Sequence, residues 1–169
     1  MTKKKFLWLF GACCLLPLAL AQLVLSAGWF AAGVNSKGQW LSEEIQLLPA
    51  TAANQPHWRL VYLAPAECQQ QCQQTLNLMT QIHTALGRKQ ENLSLVVLGD
   101  VAPTELTSTF QFQQGGSKTL TAGQLILVEH NGLALLQYQF PVDASQLPLL
   151  GKAVMSDLKK LISYDRGPV

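Results

Sequence analysis

Residues 58–98, WRLVYLAPAECQQQCQQTLNLMTQIHTALGRKQENLSLVVL, carry the clearest pattern of secondary structure in the sequence. Residues 58–64 are rich in β-branched and aromatic side chains, which predicts a strand. Residues 67–86 contain neither Gly nor Pro and repeat apolar residues at helical spacing, which predicts a helix that ends at Gly87. Residues 93–99 form the continuous apolar run that is typical of a buried parallel strand. The order strand, helix, strand predicts a βαβ unit.

The rest of the outer sequence extends this unit to one α/β domain. Residues 124–129 and 133–140 predict two strands joined by a hairpin turn at Asn131-Gly132. Residues 100–122 predict a polar excursion with one short helix, and residues 144–163 have the spacing of an amphipathic helix. We therefore expect a central mixed sheet with helices packed on its faces.

The N-terminal sequence predicts a membrane anchor. Residues 1–5 include three lysines, and residues 6–34 contain no charged residue. That run is longer than the roughly 20 residues that a helix needs to cross a bilayer. The lysines favour the cytoplasmic side, so we expect a cytoplasmic basic end at 1–5 and one transmembrane helix at 6–34. The chain beyond the helix would then face the periplasm from a bacterial inner membrane.

Two other interpretations of the N-terminus stay open. Ala21 ends an A-x-A motif of the form that signal peptidase cleaves. The apolar run continues through Ala32, which favours an uncleaved helix. A lipoprotein site at Cys13 is the weaker interpretation, because it would leave a very short apolar leader.

Composition and motifs exclude several classes of function. Charged residues make up 13% of the 169 residues and the formal net charge is +2, so no basic face for nucleic acid is expected. The sequence contains no G-x-S-x-G, phosphate-loop or H-E-x-x-H motif. We expect residues 35–56 to form a juxtamembrane linker, in which Leu41, Ile45 and Leu48 suit either a short amphipathic turn or an edge segment. We expect residues 57–169 to form a periplasmic domain of ordinary size.

The four cysteines fall into two pairs. Cys13 and Cys14 lie in the apolar run and are interpreted as small apolar residues. Cys68 and Cys72 lie where the first predicted strand is followed by the helix, in an oxidising compartment. A helix N-terminus favours the thiolate, whereas the neighbouring Glu67 opposes it. The pair is a candidate redox site or copper(I) site, and a static disulfide or two idle thiols are the alternatives.

Other residue types that carry chemistry give weaker signals. His57 precedes the first strand, His83 lies in the helix and His130 lies in the hairpin turn, and each is interpreted as a surface residue and not as a ligand. Met79 shares a helix face with Cys72 but is expected in the core. Asp100 is interpreted as a turn residue. A third metal ligand is not identified.

The strand–cysteine–helix segment resembles the thioredoxin-like fold, and the C-x-x-x-C spacing of Cys68 and Cys72 is similar to that of the Sco/SenC copper chaperones of cytochrome c oxidase assembly. A closer resemblance, through residues 58–98 and the closing DLKKLISYDRG at 157–167, is to proteobacterial membrane proteins encoded beside haem-copper oxidase genes. This resemblance implies the inner membrane and oxidase subunits or assembly factors as partners. It also implies copper(I) as a possible cofactor of the two cysteines.

The chain departs from the Sco pattern around the cysteines. Sco proteins carry a His ligand in the loop before the hairpin and prolines beside the cysteines. Here the matching loop, GGSKTLTAGQ at 115–124, contains no His, and neither Cys68 nor Cys72 has an adjacent Pro. The cis-proline of thioredoxins also lacks a counterpart, since residues 104–140 contain no Pro.

Three functional hypotheses follow. The first is a periplasmic accessory protein that supports cytochrome c oxidase biogenesis through copper or thiol handling by Cys68 and Cys72. The second is a non-catalytic thioredoxin-like module that scaffolds oxidase subunits or assembly factors. The third is an enzyme, a thiol–disulfide oxidoreductase, and it has the least support in the sequence.

Overall fold

The chain forms two units, residues Met1–Asn35 and Ser36–Val169. The computed structural model describes residues 3–26, 36–52, 55–104, 106–117, 119–141 and 143–164.

The first unit contains one helix, α1, at Lys3–Ser26. Cys13 and Cys14 are free and exposed on it. Within the described residues, no helix is found that is both long enough and apolar enough to span a membrane. The predicted membrane segment, 6–34, includes residues 27–34, which lie outside the described residues.

The second unit is built on a six-stranded sheet. The strands lie in the order β1-β6-β5-β2-β3-β4. Strand β2 pairs in parallel with β3, and β3 with β4, whereas β5, β6 and β1 add antiparallel pairs. The predicted mixed sheet is therefore confirmed. The strands are β1 Gln39–Gln46, β2 Trp58–Leu63, β3 Leu93–Gly99, β4 Phe110–Gln114, β5 Leu125–Val128 and β6 Leu133–Tyr138.

Two longer helices follow the sequence pattern. Helix α2, Gln70–Ala85, buries the apolar stripe that predicted it. The chain leaves α2 through Gly87, whose φ of +58° is a left-handed conformation that glycine adopts without steric cost. Helix α3, Leu147–Tyr164, confirms the predicted C-terminal helix. Short 3₁₀ turns lie at Gly87–Asn92 and Ala144–Gln146.

Two apolar clusters cover the two faces of the sheet. Because side chains alternate along a strand, Leu60 and Tyr62 of β2 enter one cluster while Val61 and Leu63 enter the other. Both α2 and α3 pack into the cluster of Leu60 and Tyr62. The other face is covered in the described residues by Leu48, with partly buried side chains from the β1 segment and Leu120. Helices were expected on both faces, and the two described helices of this unit share one.

Two edge strands lie where the sequence signals are weakest. Strand β1 lies inside residues 35–56, the expected linker, where the sequence allows a short turn or an edge segment, and it pairs with β6. The compact unit that contains β1 begins at Ser36. Strand β4 lies in the expected polar excursion and pairs with β3. Each has one β neighbour and largely exposed or half-buried side chains, so neither carries the apolar run that marks a buried strand.

A buried carboxylate joins α3 to the start of β1 and to β6. Asp157 of α3 is 1% exposed. Its carboxylate accepts hydrogen bonds from the Lys37 amide at 2.7 and 3.0 Å, from the Gly38 amide at 2.8 Å and from the Tyr138 hydroxyl at 3.0 Å. The Tyr138 ring lies so close to Gly38 that any Cβ there would overlap it. These bonds satisfy a charge that would otherwise be costly to bury.

Replacing Tyr138 with Phe removes one donor to this carboxylate. We expect the free energy of unfolding near neutral pH to fall by about 2 kcal/mol, the usual cost of losing a hydrogen bond to a charged group. Burial first, and the Asp157 charge second, raise the pKa of Tyr138 in the folded chain. The stability that Tyr138 contributes is therefore present below about pH 10, the ordinary tyrosine pKa, and is lost as pH rises further.

The difference in the free energy of unfolding between wild type and Tyr138→Phe should become smaller above about pH 10, by up to roughly 1.4 kcal/mol per pH unit. Urea unfolding at a series of pH values measures it. Tyr164→Phe is the control, because Tyr164 is 83% exposed and its loss should change little. A difference that stays constant into the alkaline range would contradict the assignment.

Candidate thiol and copper site

The two outer cysteines lie on the connection from β2 to α2. The chain leaves β2 at Leu63, and the Ala64 amide donates to the Leu98 carbonyl of β3 at 2.8 Å. Cys68 is half-buried, and Cys72, in the first turn of α2, is 1% exposed. The sulfurs form a disulfide with a Cα–Cα distance of 5.1 Å, inside the usual range for such bonds. The structure thus records the oxidised form of the pair.

The disulfide is a weak structural staple. Its cysteines are only four positions apart in sequence. The entropy of closing so small a loop in the unfolded chain corresponds to about 2 kcal/mol, at the low end for disulfides. Both cysteines also pack against the apolar cluster of Leu60 and Tyr62, which holds this region in addition to the disulfide. The position of the pair therefore calls for a chemical explanation more than a mechanical one.

The start of α2 favours a thiolate at this position. The N-cap residue, Gln69, makes no side-chain hydrogen bond to the helix amides. The backbone N–H groups in the first turn of α2 thus remain available as hydrogen-bond donors at the end of the helix where Cys68 lies. Glu67 is exposed to solvent, which screens its charge. Cys68 is thus the more accessible of the two sulfurs, and Cys72 is shielded from solvent.

A cleft of about 840 Å³ lies beside the cysteines, and we call it the cysteine cleft. The loop before β5 forms one wall, held to β2 by bonds from the Gly123 amide to the Leu63 carbonyl, 2.7 Å, and from the Leu63 amide to the Gln124 carbonyl, 3.1 Å. Glutamine, with its neutral amide, is the most frequent residue type in the lining. The lining residues are Tyr62, Pro65, Glu67, Gln69, Gln70, Gln71, Cys72, Ala122, Gly123, Gln124, Gln139 and Phe140.

The described lining of the cysteine cleft offers no imidazole or thioether as a third ligand beside the cysteines. Among its described lining residues, none is His or Met, and Cys72 is the sole cysteine. Met79 is fully buried in the core, as the sequence predicted. Asp100 is exposed at the end of β3 and lines a separate cavity of about 200 Å³. Among the described residues, the sulfurs of Cys72 in the lining and of its disulfide partner Cys68 are therefore the soft metal-type donors at this place.

Sequence reasoning missed a second group of donors. His57 and His130, each interpreted as a lone surface residue, lie together with Glu129 near the N-terminal end of β2. His83 stays apart on α2. The signal that could have found the group is the antiparallel pairing of β2 with β5, which no single segment of the sequence reveals.

The comparisons with known proteins identify the fold. The family model described as "Transmembrane-like, thioredoxin-like, C-terminal domain" matches residues 58–165. The solution structure of apo Sco1 from Thermus thermophilus superposes with a TM-score of 0.50 at 16% identity, covering 75% of this chain and 96% of that one. A SCO1/SenC family lipoprotein from Bacillus anthracis gives a TM-score of 0.45 at 13% identity, covering 72% and 98%. No curated protein matches the chain.

The family match and the Thermus thermophilus structure confirm the predicted thioredoxin-like fold. At 16% identity, the similarity to the Thermus thermophilus structure concerns the fold alone. The family match is stronger, because it covers more than half of the chain, from the first residue of β2 to just beyond α3. The chain belongs to the family of transmembrane-like, thioredoxin-like proteins and carries its C-terminal domain.

Proposed function

We propose that this protein handles copper(I) or thiols through Cys68 and Cys72, as a membrane-anchored periplasmic protein that supports cytochrome c oxidase biogenesis. One observation carries the proposal: a half-buried and a buried cysteine sit at an uncapped helix start beside the cysteine cleft. The charge-free run at 6–34 supports the anchor. The resemblance to Sco-type proteins supports the oxidase.

The donor set fits copper(I) once the disulfide is reduced. A dithiol or another two-electron donor supplies two electrons and two protons, which convert the disulfide to two thiols. Binding of the ion then displaces the two thiol protons, because thiolates are the ligands. Soft sulfur donors select copper(I), which tolerates low coordination. Because the described cleft residues supply no third ligand, a bound copper(I) ion would keep a coordination position free for a ligand from a partner protein. Transfer of the ion to that partner requires such a position.

Copper(I) titration of the full-length, detergent-purified chain tests the site. Cys13 and Cys14 are exposed thiols on α1, so they are first replaced by Ser. After reduction, this background should bind about one equivalent of copper(I) against a competing chelator, since a single cysteine pair remains. Adding Cys68→Ser and Cys72→Ser should abolish that binding.

Two results decide the copper titration. Equal binding by wild type and by the Cys13→Ser, Cys14→Ser background is the control that locates the ion on the outer pair. Copper(I) affinity that is unchanged by loss of Cys68 and Cys72 would contradict the proposal.

The lack of a third ligand among the described lining residues and the neutral amides of the cysteine cleft favour the scaffold hypothesis. An experiment in cells distinguishes it from copper or thiol handling. In the source bacterium, Cys68→Ser with Cys72→Ser should lower cytochrome c oxidase activity while the chain accumulates normally. Cys13→Ser with Cys14→Ser, the matched pair of substitutions, should leave activity unchanged. Full activity in the first strain, with oxidase components still co-purifying, would instead support the scaffold.

A further inference from the structure

A compact group of nitrogen and oxygen donors lies away from the cysteines. His130 Nδ1 is 3.0 Å from His57 Nε2 and 3.3 Å from Glu129 Oε1, and His57 Nε2 is 3.9 Å from Glu129 Oε1. We call these three residues the His–Glu cluster. They lie at the N-terminal end of β2, whereas Cys68 follows its C-terminal end, and the six residues of β2 span roughly 20 Å at about 3.3 Å each. The group is thus independent of the cysteine cleft.

Sheet register brings the cluster together. Strands β2 and β5 are antiparallel, with Arg59 opposite Val128. Continuing that register by two residues places His57 opposite His130, where side chains of an antiparallel pair are close neighbours. The two imidazole rings have centroids 4.1 Å apart. The convergence therefore follows from the backbone and does not depend on a chance meeting of long, mobile side chains.

The donor spacing suits a tetrahedral ion. Bonds of about 2.0–2.2 Å from Zn²⁺ to nitrogen or oxygen require donors about 3.3–3.6 Å apart in tetrahedral geometry. The three observed separations, 3.0, 3.3 and 3.9 Å, bracket that range. The longest of them exceeds a hydrogen bond, so a closed ring of hydrogen bonds does not account for all three. Side-chain rotations that move atoms by a few tenths of an ångström would place every donor at bonding distance.

The backbone that carries two of the donors is held firmly. Arg59, which is 4% exposed, donates through Nη2 to the carbonyls of Glu129 at 2.9 Å and His130 at 3.3 Å. The Thr51 amide donates to the same His130 carbonyl at 2.8 Å. The Arg59 guanidinium thus contacts backbone carbonyl oxygens, whereas the Glu129 carboxylate lies beside the two imidazole rings. Such outer support is what orients ligands in metal sites.

The cluster is also open to solvent. The side chains of His57, Glu129 and His130 are 27%, 28% and 40% exposed. An ion can therefore enter without local unfolding. Three protein donors would leave a fourth position for water or an outside ligand, the usual arrangement of two His and one carboxylate around zinc.

We propose that His57, Glu129 and His130 bind a divalent transition-metal ion of the zinc type. The two imidazoles supply borderline nitrogen ligands and Glu129 supplies one carboxylate oxygen, so the site differs in ligand class from the two sulfurs. Its net ligand charge of −1 with neutral imidazoles favours a dication. The site stands whether or not the cysteine pair binds copper.

Calorimetric titration with Zn²⁺ tests this site. The sample is the full-length, tag-free chain with Cys13→Ser and Cys14→Ser and with Cys68–Cys72 oxidised, so that no thiol competes. One saturable site is expected. His57→Ala and His130→Ala should each lower the Zn²⁺ affinity by about 100-fold or more. Loss of a residue that only supports a ligand lowers metal affinity by up to about 100-fold, and loss of a ligand should cost at least as much. His83→Ala, on α2 and outside the cluster, is the matched control and should leave the affinity unchanged.

Glu129→Gln keeps the side-chain shape while removing the charge. It guards against a misfolded alanine variant, and it should weaken Zn²⁺ binding by about 10-fold or more with an unchanged circular dichroism spectrum. Absence of saturable binding would overturn the proposal. A His130→Ala or Glu129→Gln protein that binds Zn²⁺ as tightly as the His83→Ala control would overturn it as well.

Discussion

Strand β2 is buried along its whole length, and the rest of the outer unit is arranged around it. All six of its residues are buried, because β3 and β5 pair with its two edges and an apolar cluster covers each face. A strand in this position needs a partner for every backbone group. The chain becomes accessible to solvent beyond each end of β2. Side chains that can bind metals or react as thiols lie near both ends. The cysteine pair follows one end, and the His–Glu cluster lies at the other.

The two ends differ in ligand class. Beyond the C-terminal end, two sulfurs lie beside a cleft of neutral amides, a setting for a soft ion or a thiol partner. At the N-terminal end, two imidazoles and a carboxylate suit a borderline dication. Because ligand class and geometry, more than raw affinity, separate metals in proteins, the two proposed sites would favour different ions.

Local sequence patterns predicted the helices and strands that carry their own apolar run. The β2–α2–β3 unit, the hairpin and α3 each carry a continuous or periodic apolar run, and each was found. Strands β1 and β4 carry no such run, since pairing with a single neighbour holds them. The same limit applied to sites. Cys68 and Cys72 are close in sequence, so the pair is visible as a candidate without the structure, whereas His57 and His130 meet only through strand register.

The proposed chemistry depends most on a Cys68–Cys72 disulfide that opens and closes within the folded chain. Equilibrium with thiol–disulfide buffers of graded potential, followed by alkylation and mass measurement, gives the midpoint directly. A disulfide that closes a small loop at a helix start should have a midpoint above about −300 mV, in the range of exchangeable disulfides, and the chain should stay folded when reduced. A midpoint well below about −300 mV, or reduction only together with unfolding, would show a static bond and contradict the proposed chemistry.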